Sequence, residues 1–263
     1  MAAKKKVSKK KTGKALALPW QQQLAQHAKT GKVPKEKALI GDYISIKGGK
    51  FSLGGAVLGR ELDCVIVGYV LEKVYYDNDY VEGAKTSPAC FAIGYSEDEL
   101  TPDSISPNLQ GGDEGMCAGC EFNEWGSGRG EGKACADKRR LALVVEGESG
   151  KVELKILNIP PTSLKNWKGF VNTVETQGLH VMQCAVNIHF DEEHVGSGIP
   201  PIIFDFVNEI TNEKTLQAMA NTLDEATKLL EQPYDISNYT APKKGKKKTS
   251  KKKASKKKRS KFS

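Results

Sequence analysis

Leu62-Asp-Cys-Val-Ile-Val-Gly-Tyr-Val-Leu71 is the most β-prone run in the chain. β-Branched and aromatic residues crowd it, and apolar side chains fall on both faces. A strand of that kind belongs in the middle of a sheet, covered on both sides, with Gly68 as a bend or bulge. Upstream, Tyr43–Lys47 reads as a strand, followed by a Gly-rich turn containing Gly48, Gly49, Gly54, Gly55 and Gly59. Further upstream a short helix is expected from Leu16 or Pro19 to Ala28. Downstream, 77–89 reads as a loop, Cys90–Tyr95 as a short strand, and Arg139–Val145 and Val152–Leu157 as regular strands.

Thr162–Thr176 has helical spacing, with Leu164, Trp167, Val171 and Val174 on one face and Gly178 at the C-terminal cap. His180–Phe190 alternates, with Met182, Cys184, Val186, Ile188 and Phe190 pointing one way. Ile202–Val207 is another strand. Glu213–Leu230 is a second amphipathic helix, capped by Thr211 or Asn212, with Leu216, Met219, Leu223, Ala226 and Leu230 inward. About seven short strands and two or three helices, not regularly interleaved, argue against a doubly wound parallel sheet. The expected fold is mostly β (α+β): a small curved antiparallel sheet or oligonucleotide-binding (OB)-like barrel with appended helices.

Charge divides the chain. Residues 1–14 hold seven lysines and no acid, and residues 243–263 hold 13 basic residues and no acid. The intervening 15–242 carries 20 basic against 32 acidic residues. The expected organisation is a basic arm over 1–15, a single domain over 16–242, and a lysine-rich arm over 243–263. Apolar-poor, like-charged arms are expected to be disordered when free. Such arms suit a polyanion, because each neutralised phosphate releases counterions. No apolar run approaches the ~18–20 residues that span a bilayer. No apolar stretch follows the N-terminal Met-Ala-Ala-Lys-Lys-Lys, so the expectation is an intracellular, cytoplasmic chain without a membrane partner.

Cys64 and Cys184 lie within strand patterns and read as small core hydrophobes. The other four cysteines sit in or beside a long irregular stretch, 96–138, of the kind that a metal often organises. Cys117 and Cys120 form Cys-Ala-Gly-Cys, whose small residues let the backbone wrap so that both sulfurs point inward. Cys135 follows after fourteen residues. A structural zinc ion needs a fourth ligand, and Cys90, opening a strand just before the loop, is the best placed; His189 and His194 are weaker candidates. An intracellular chain argues against disulfides, so a four-cysteine metal site is expected, with free thiols or a redox pair as alternatives; the expected cofactor is Zn2+, favoured over an iron–sulfur cluster. Arg129, Lys133, Lys138, Arg139 and Arg140 surround the last ligand and would offset thiolate charge, so knuckle and basic patch coincide.

Single-strand binding also needs exposed rings on which bases stack. Tyr75, Tyr76 and Tyr80 cluster beside Lys73, and Trp125 lies inside the cysteine loop between Glu124 and Gly126. The expected nucleic-acid contacts are Lys73, Tyr75, Tyr76, Trp125, Arg129, Lys133, Lys138, Arg139 and Arg140.

Val-Tyr-Tyr-Asp at 74–77, Ser-Pro-Ala-Cys at 87–90, Cys-Ala-Gly-Cys-Glu-Phe-Asn-Glu-Trp-Gly-Ser at 117–127, Gly-Lys-Ala-Cys at 132–135 and then Arg139-Arg140 resemble a group of bacteriophage single-stranded DNA-binding proteins of the OB-barrel type. The resemblance covers roughly residues 40–190. It implies Cys90, Cys117, Cys120 and Cys135 as metal ligands. It also implies a non-catalytic coat on unwound DNA in phage replication or recombination, with replication or recombination proteins as partners. Many such proteins end in an acidic recruiting tail; this chain ends in lysines, which points to an arm that tightens DNA binding directly.

Two rivals stand beside this reading. A zinc-ribbon transcription or virion-associated factor would use the knuckle for protein contacts and the arms for DNA. A metal-dependent nuclease would need clustered carboxylates, but the acids are scattered and no Walker loop or His-Glu-x-x-His motif occurs. The chain is therefore expected not to be an enzyme.

Overall fold

The computed structural model describes residues 43–78, 86–146, 152–194 and 198–242. Both basic arms, the expected helix at 16–28, and Tyr80 lie outside the described residues. Among the described residues nine strands form one sheet: β1 (Tyr43–Lys47), β2 (Lys50–Leu53), β3 (Ala56–Gly59), β4 (Glu61–Tyr75), β5 (Cys90–Gly94), β6 (Cys135–Glu146), β7 (Val152–Ile159), β8 (Cys184–Phe190) and β9 (Ile202–Glu209). Their order is β3-β2-β1-β7-β6-β4-β8-β9.

The run at 62–71 is central, as its two-faced apolarity requires. It lies within β4, fifteen residues long, which pairs with β6 along one edge from Val65 to Tyr75. Its other edge pairs first with β8, over Glu61–Val65, and then with β5, over Leu71–Tyr75. The register shifts between Ile66 and Gly68, the bulge that the glycine marked.

Apolar residues of β4 and β6 alternate between two covered faces. On one face α1 (Leu164–Thr176) packs Trp167, Phe170 and Val174 with Ile66, Leu141, Leu143 and Phe204. On the other, α2 (Glu213–Ala220) and α3 (Leu223–Leu230) contribute Met219, Ala226 and Leu230, against Val67, Val70, Ala142 and Ile156. The sheet curls. Phe51 in β2 and Phe190 in β8 stack with centroids 4.6 Å apart, although four strands lie between them in the sheet order.

Several expectations are corrected. The sheet is mixed rather than antiparallel, because β1 runs parallel to β7. The Gly-rich turn contains a further strand pair, β2 and β3: Gly54 and Gly55, both at positive φ, make a hairpin turn that buries Phe51. The expected single helix at 213–230 is two. Thr222 turns back onto the carbonyl of Met219 through both its amide and its hydroxyl, and the break leaves Leu223 exposed. Asn212 caps α2 by accepting from the amide of Thr215.

After α3 the chain returns across β4 and β5 as an irregular strap. Arg140 of β6 donates to the carbonyls of Leu230 (2.9 Å) and Gln232 (2.6 Å) and pairs with Glu72 at 2.5 Å, with both side chains buried. The Ser87 hydroxyl donates to the carbonyl of Asp235 (2.6 Å), Tyr239 to the Asp77 carboxylate (2.7 Å), and the Asn78 amide to the carbonyl of Thr240 (2.6 Å). No helix among the described residues is long and apolar enough to cross a membrane.

Because Phe51 closes the curl and is fully buried, Phe51→Ala is expected to cost about 3–5 kcal/mol. A chemical-denaturation midpoint unchanged from that of the native protein would show that the curl does not depend on this contact.

Candidate metal centre and its aromatic rim

Register brings the first elements together. Tyr75, the last residue of β4, lies opposite Cys90 on one side and Cys135 on the other. The intervening segment folds back so that Cys117 and Cys120 join them. The amide of Cys117 donates to the carbonyl of Leu100 (2.8 Å), that of Gly112 to Met116 (2.7 Å), and that of Asn123 to Cys120 (2.9 Å). Two glycines permit this close approach. A Cβ on Gly112 would lie 2.5 Å from the carbonyl carbon of Gly119, and one on Gly128 would lie 2.7 Å from the carbonyl of Lys133.

Cys90, Cys117, Cys120 and Cys135 all line one cavity of about 20 Å³, together with Lys73, Tyr75, Phe122 and Asn123. That volume exceeds the ~10–15 Å³ that admits a single water-sized occupant. All four are free thiols, as are Cys64 and Cys184, which are buried within strands as expected. Burial, and then the charge of Cys90, pushes Cys117 up to about 11; burial, and then Cys117, pushes Cys135 up to about 12. Burial also raises Cys90, against the lowering effect of hydrogen bonds from the Gln110 amide, 3.4 Å from its sulfur, and from Ser106. A cation held by these groups would have to displace their protons. Among the described residues, no set of three or more His, Cys, Asp and Glu side chains stands in a geometry that could hold a metal ion. The four thiols thus share a cavity without forming a ready coordination sphere, and the donor set rather than its geometry is what fits zinc.

A charged network backs the cavity. The Lys73 ammonium, on a buried side chain, pairs with Asp137 at 2.5 Å and donates to the Asn123 side chain (3.1 Å). Lys133 reaches the same carboxylate (3.0 Å) and the same amide oxygen (3.2 Å). Burial alone would raise Asp137, but these two lysines hold its carboxyl below the usual value. Asn123 also donates to the carbonyl of Cys117 (3.1 Å), tying the network to the knuckle. Sequence reading missed Asn123, Asp137, Ser106 and Gln110. Asp137 was legible as a lone acid in a basic run; the others carry no sequence signal, because only folding brings them here.

The expected nucleic-acid contacts separate by exposure. Trp125 is 79% exposed, Tyr76 is 40% exposed, and Arg129 is exposed. Tyr75, Lys133 and Lys138 are half-buried, Tyr75 stacking on Phe122 at 4.3 Å. Lys73, Arg139 and Arg140 are buried. Within the chain, Lys73 lines the cavity, Arg140 bonds the strap, and Arg139 donates to the carbonyl of Lys138 (2.8 Å). The exposed rings each have a lysine beside them. Lys133 lies 5.4 Å from the Trp125 centroid and Lys138 lies 6.0 Å from that of Tyr76. Burial holds Lys138 below its ordinary value. The Trp125 loop is internally tied: the Ser127 hydroxyl donates to the carbonyl of Glu124 (2.6 Å) and accepts from the amide of Ala134 (3.0 Å).

Gly112→Ala forces its new methyl against knuckle backbone. A local cost of about 1–3 kcal/mol is expected to speed amide exchange of Cys117 and Asn123 roughly 5- to 150-fold, with the amides of β4 and β6 unchanged. Unaltered exchange at Cys117 would show that the close approach does not hold the knuckle.

No protein-family model, no curated protein and no solved structure matches this chain.

Proposed function

We propose that this chain binds single-stranded DNA without catalysing a reaction, by stacking bases on Trp125 and Tyr76. The observation that carries the reading is Trp125: a large apolar ring, 79% exposed, fixed on a hydrogen-bonded loop and backed by Lys133. Exposing such a ring gains nothing in folding, whereas a stacked base contributes about 1–3 kcal/mol. Lysines beside both rings would meet the phosphates between stacked bases. The lysine-rich arms, by composition, add affinity that is independent of sequence. The strap fastens Thr240, just before the second arm, to Asn78, three residues beyond Tyr75.

Cys90, Cys117, Cys120 and Cys135 would hold Zn2+ as a structural crosslink between β5, β6 and the knuckle. The nearby ammonium of Lys73, which favours the ionised forms of Cys117 and Cys135, would offset the thiolate charge. The resemblance to bacteriophage single-stranded DNA-binding proteins supports the same assignment. On that reading the curled sheet is an OB-like barrel and the setting is phage DNA replication or recombination in the host cytoplasm.

Trp125→Ala is expected to weaken binding of a single-stranded oligonucleotide by about 1–3 kcal/mol, roughly 5- to 150-fold. Fluorescence titration with single- and double-stranded oligonucleotides at several salt concentrations measures this. Unchanged affinity, or tighter binding of the duplex, would overturn the reading. Elemental analysis of the purified protein is expected to find about one zinc per chain, and Cys117→Ser to remove it. A metal-free native protein of full stability sinks the zinc assignment while leaving the stacking experiment intact.

A further inference from the structure

Three described strands have one unpaired edge: the loop at Asp103 and Ser106 bonds Phe91 and covers that of β5, whereas β3 and β9 bare apolar surface. β3 is exposed from Ala56 to Leu58, with Val57 at 62% and Leu58 at 42%. β9 starts covered: the Ile202 amide donates to Ser163 and its carbonyl accepts from Asn166. From Asp205 to Glu209 it is exposed, with Val207 at 56%. Among the described residues no strand pairs beyond either. Apolar edge strands template pairing with another chain, and proteins that avoid it place Lys or Pro there; β3 carries neither and no charge.

The two edges complement each other. The open stretch of β9 is about as long as β3. Residues 43–60 hold Lys47, Lys50 and Arg60 and no acid, whereas residues 202–209 hold Asp205 and Glu209 and no base. β3 itself is uncharged; the flanking bases oppose β3 against β3, and Asp205 and Glu209 oppose β9 against β9. We propose that β3 of one copy adds to the open stretch of β9 in the next, extending the sheet from copy to copy. Such a heterologous contact does not close on itself and builds open chains. Strands this short make a small interface, so assembly is concentration-dependent. The contact needs no nucleic acid, and it stands or falls separately from the DNA reading.

Sedimentation of the full-length chain without nucleic acid tests it. The average mass of the native protein is expected to rise with concentration above the 28.7 kDa monomer. Val57→Glu sets an acid against acidic β9 and blocks one edge, and Val207→Lys sets a base against the basic flank of β3 and blocks the other; both sites are exposed, and circular dichroism checks that each variant folds. Each variant alone is expected to remain monomeric. Their equimolar mixture is expected to stop at dimers, because one supplies the free β9 and the other the free β3. The proposal is overturned if the native chain stays monomeric at every concentration, which would leave these edges to another occupant such as residues 1–42. It is equally overturned if either variant assembles as the native chain does, or if the mixture is no heavier than its parts.

Discussion

One strand holds this molecule together. Along one edge β4 pairs with β6 for most of its length; along the other it serves β8 and then β5. A strand with both edges paired and both faces covered can carry almost nothing but apolar side chains, which is the composition of residues 62–71. Its length brings the α1-covered core and the cysteine cavity onto one element, so that its last residue, Tyr75, stands in register with both Cys90 and Cys135.

The polar groups that β4 and β6 do bury are matched across the sheet. Lys73 meets Asp137 and Asn123, and Glu72 meets Arg140 and the hydroxyl of Tyr234. Buried ion pairs add little net stability over apolar packing, but removing one partner strands the other charge. These pairs are better understood as locks. Neighbours in sequence point to opposite faces, so Glu72 and Lys73 engage different structures: the strap through Arg140, and the knuckle through Asn123. The Arg140 guanidinium spans the Glu72 carboxylate, two carbonyls and the Tyr234 ring, a planar geometry that lysine would not supply.

The cysteine segment is held by means other than regular structure. From Asp113 to Asn123 it has only single 3-10 turns, and close backbone approach at Gly112 and Gly128 does the work that side-chain packing does elsewhere. Its hydrophobic contribution is small: Leu100 and Cys117 pack on Ala92 and Leu71. A segment with so little apolar burial has the composition of a surface loop, yet it presents Trp125 on a tied scaffold.

Much was legible in the chain itself. Periodicity located most of the strands and α1, because burying one face or two leaves a direct mark on residue order. Cysteine spacing singled out Cys117, Cys120 and Cys135, and the start of a strand added Cys90; all four line one cavity. Tertiary structure alone decided what depends on contacts distant in sequence: the parallel β1–β7 pair, the curl closed by Phe51 and Phe190, and the break at Thr222. It also decided which basic residues near Cys135 are available at all. Arg139 and Arg140 look like a surface patch in the sequence, but both are buried, Arg140 beneath the strap at Leu230, Gln232 and Tyr234. Charge is a property of the residue, whereas exposure belongs to the fold.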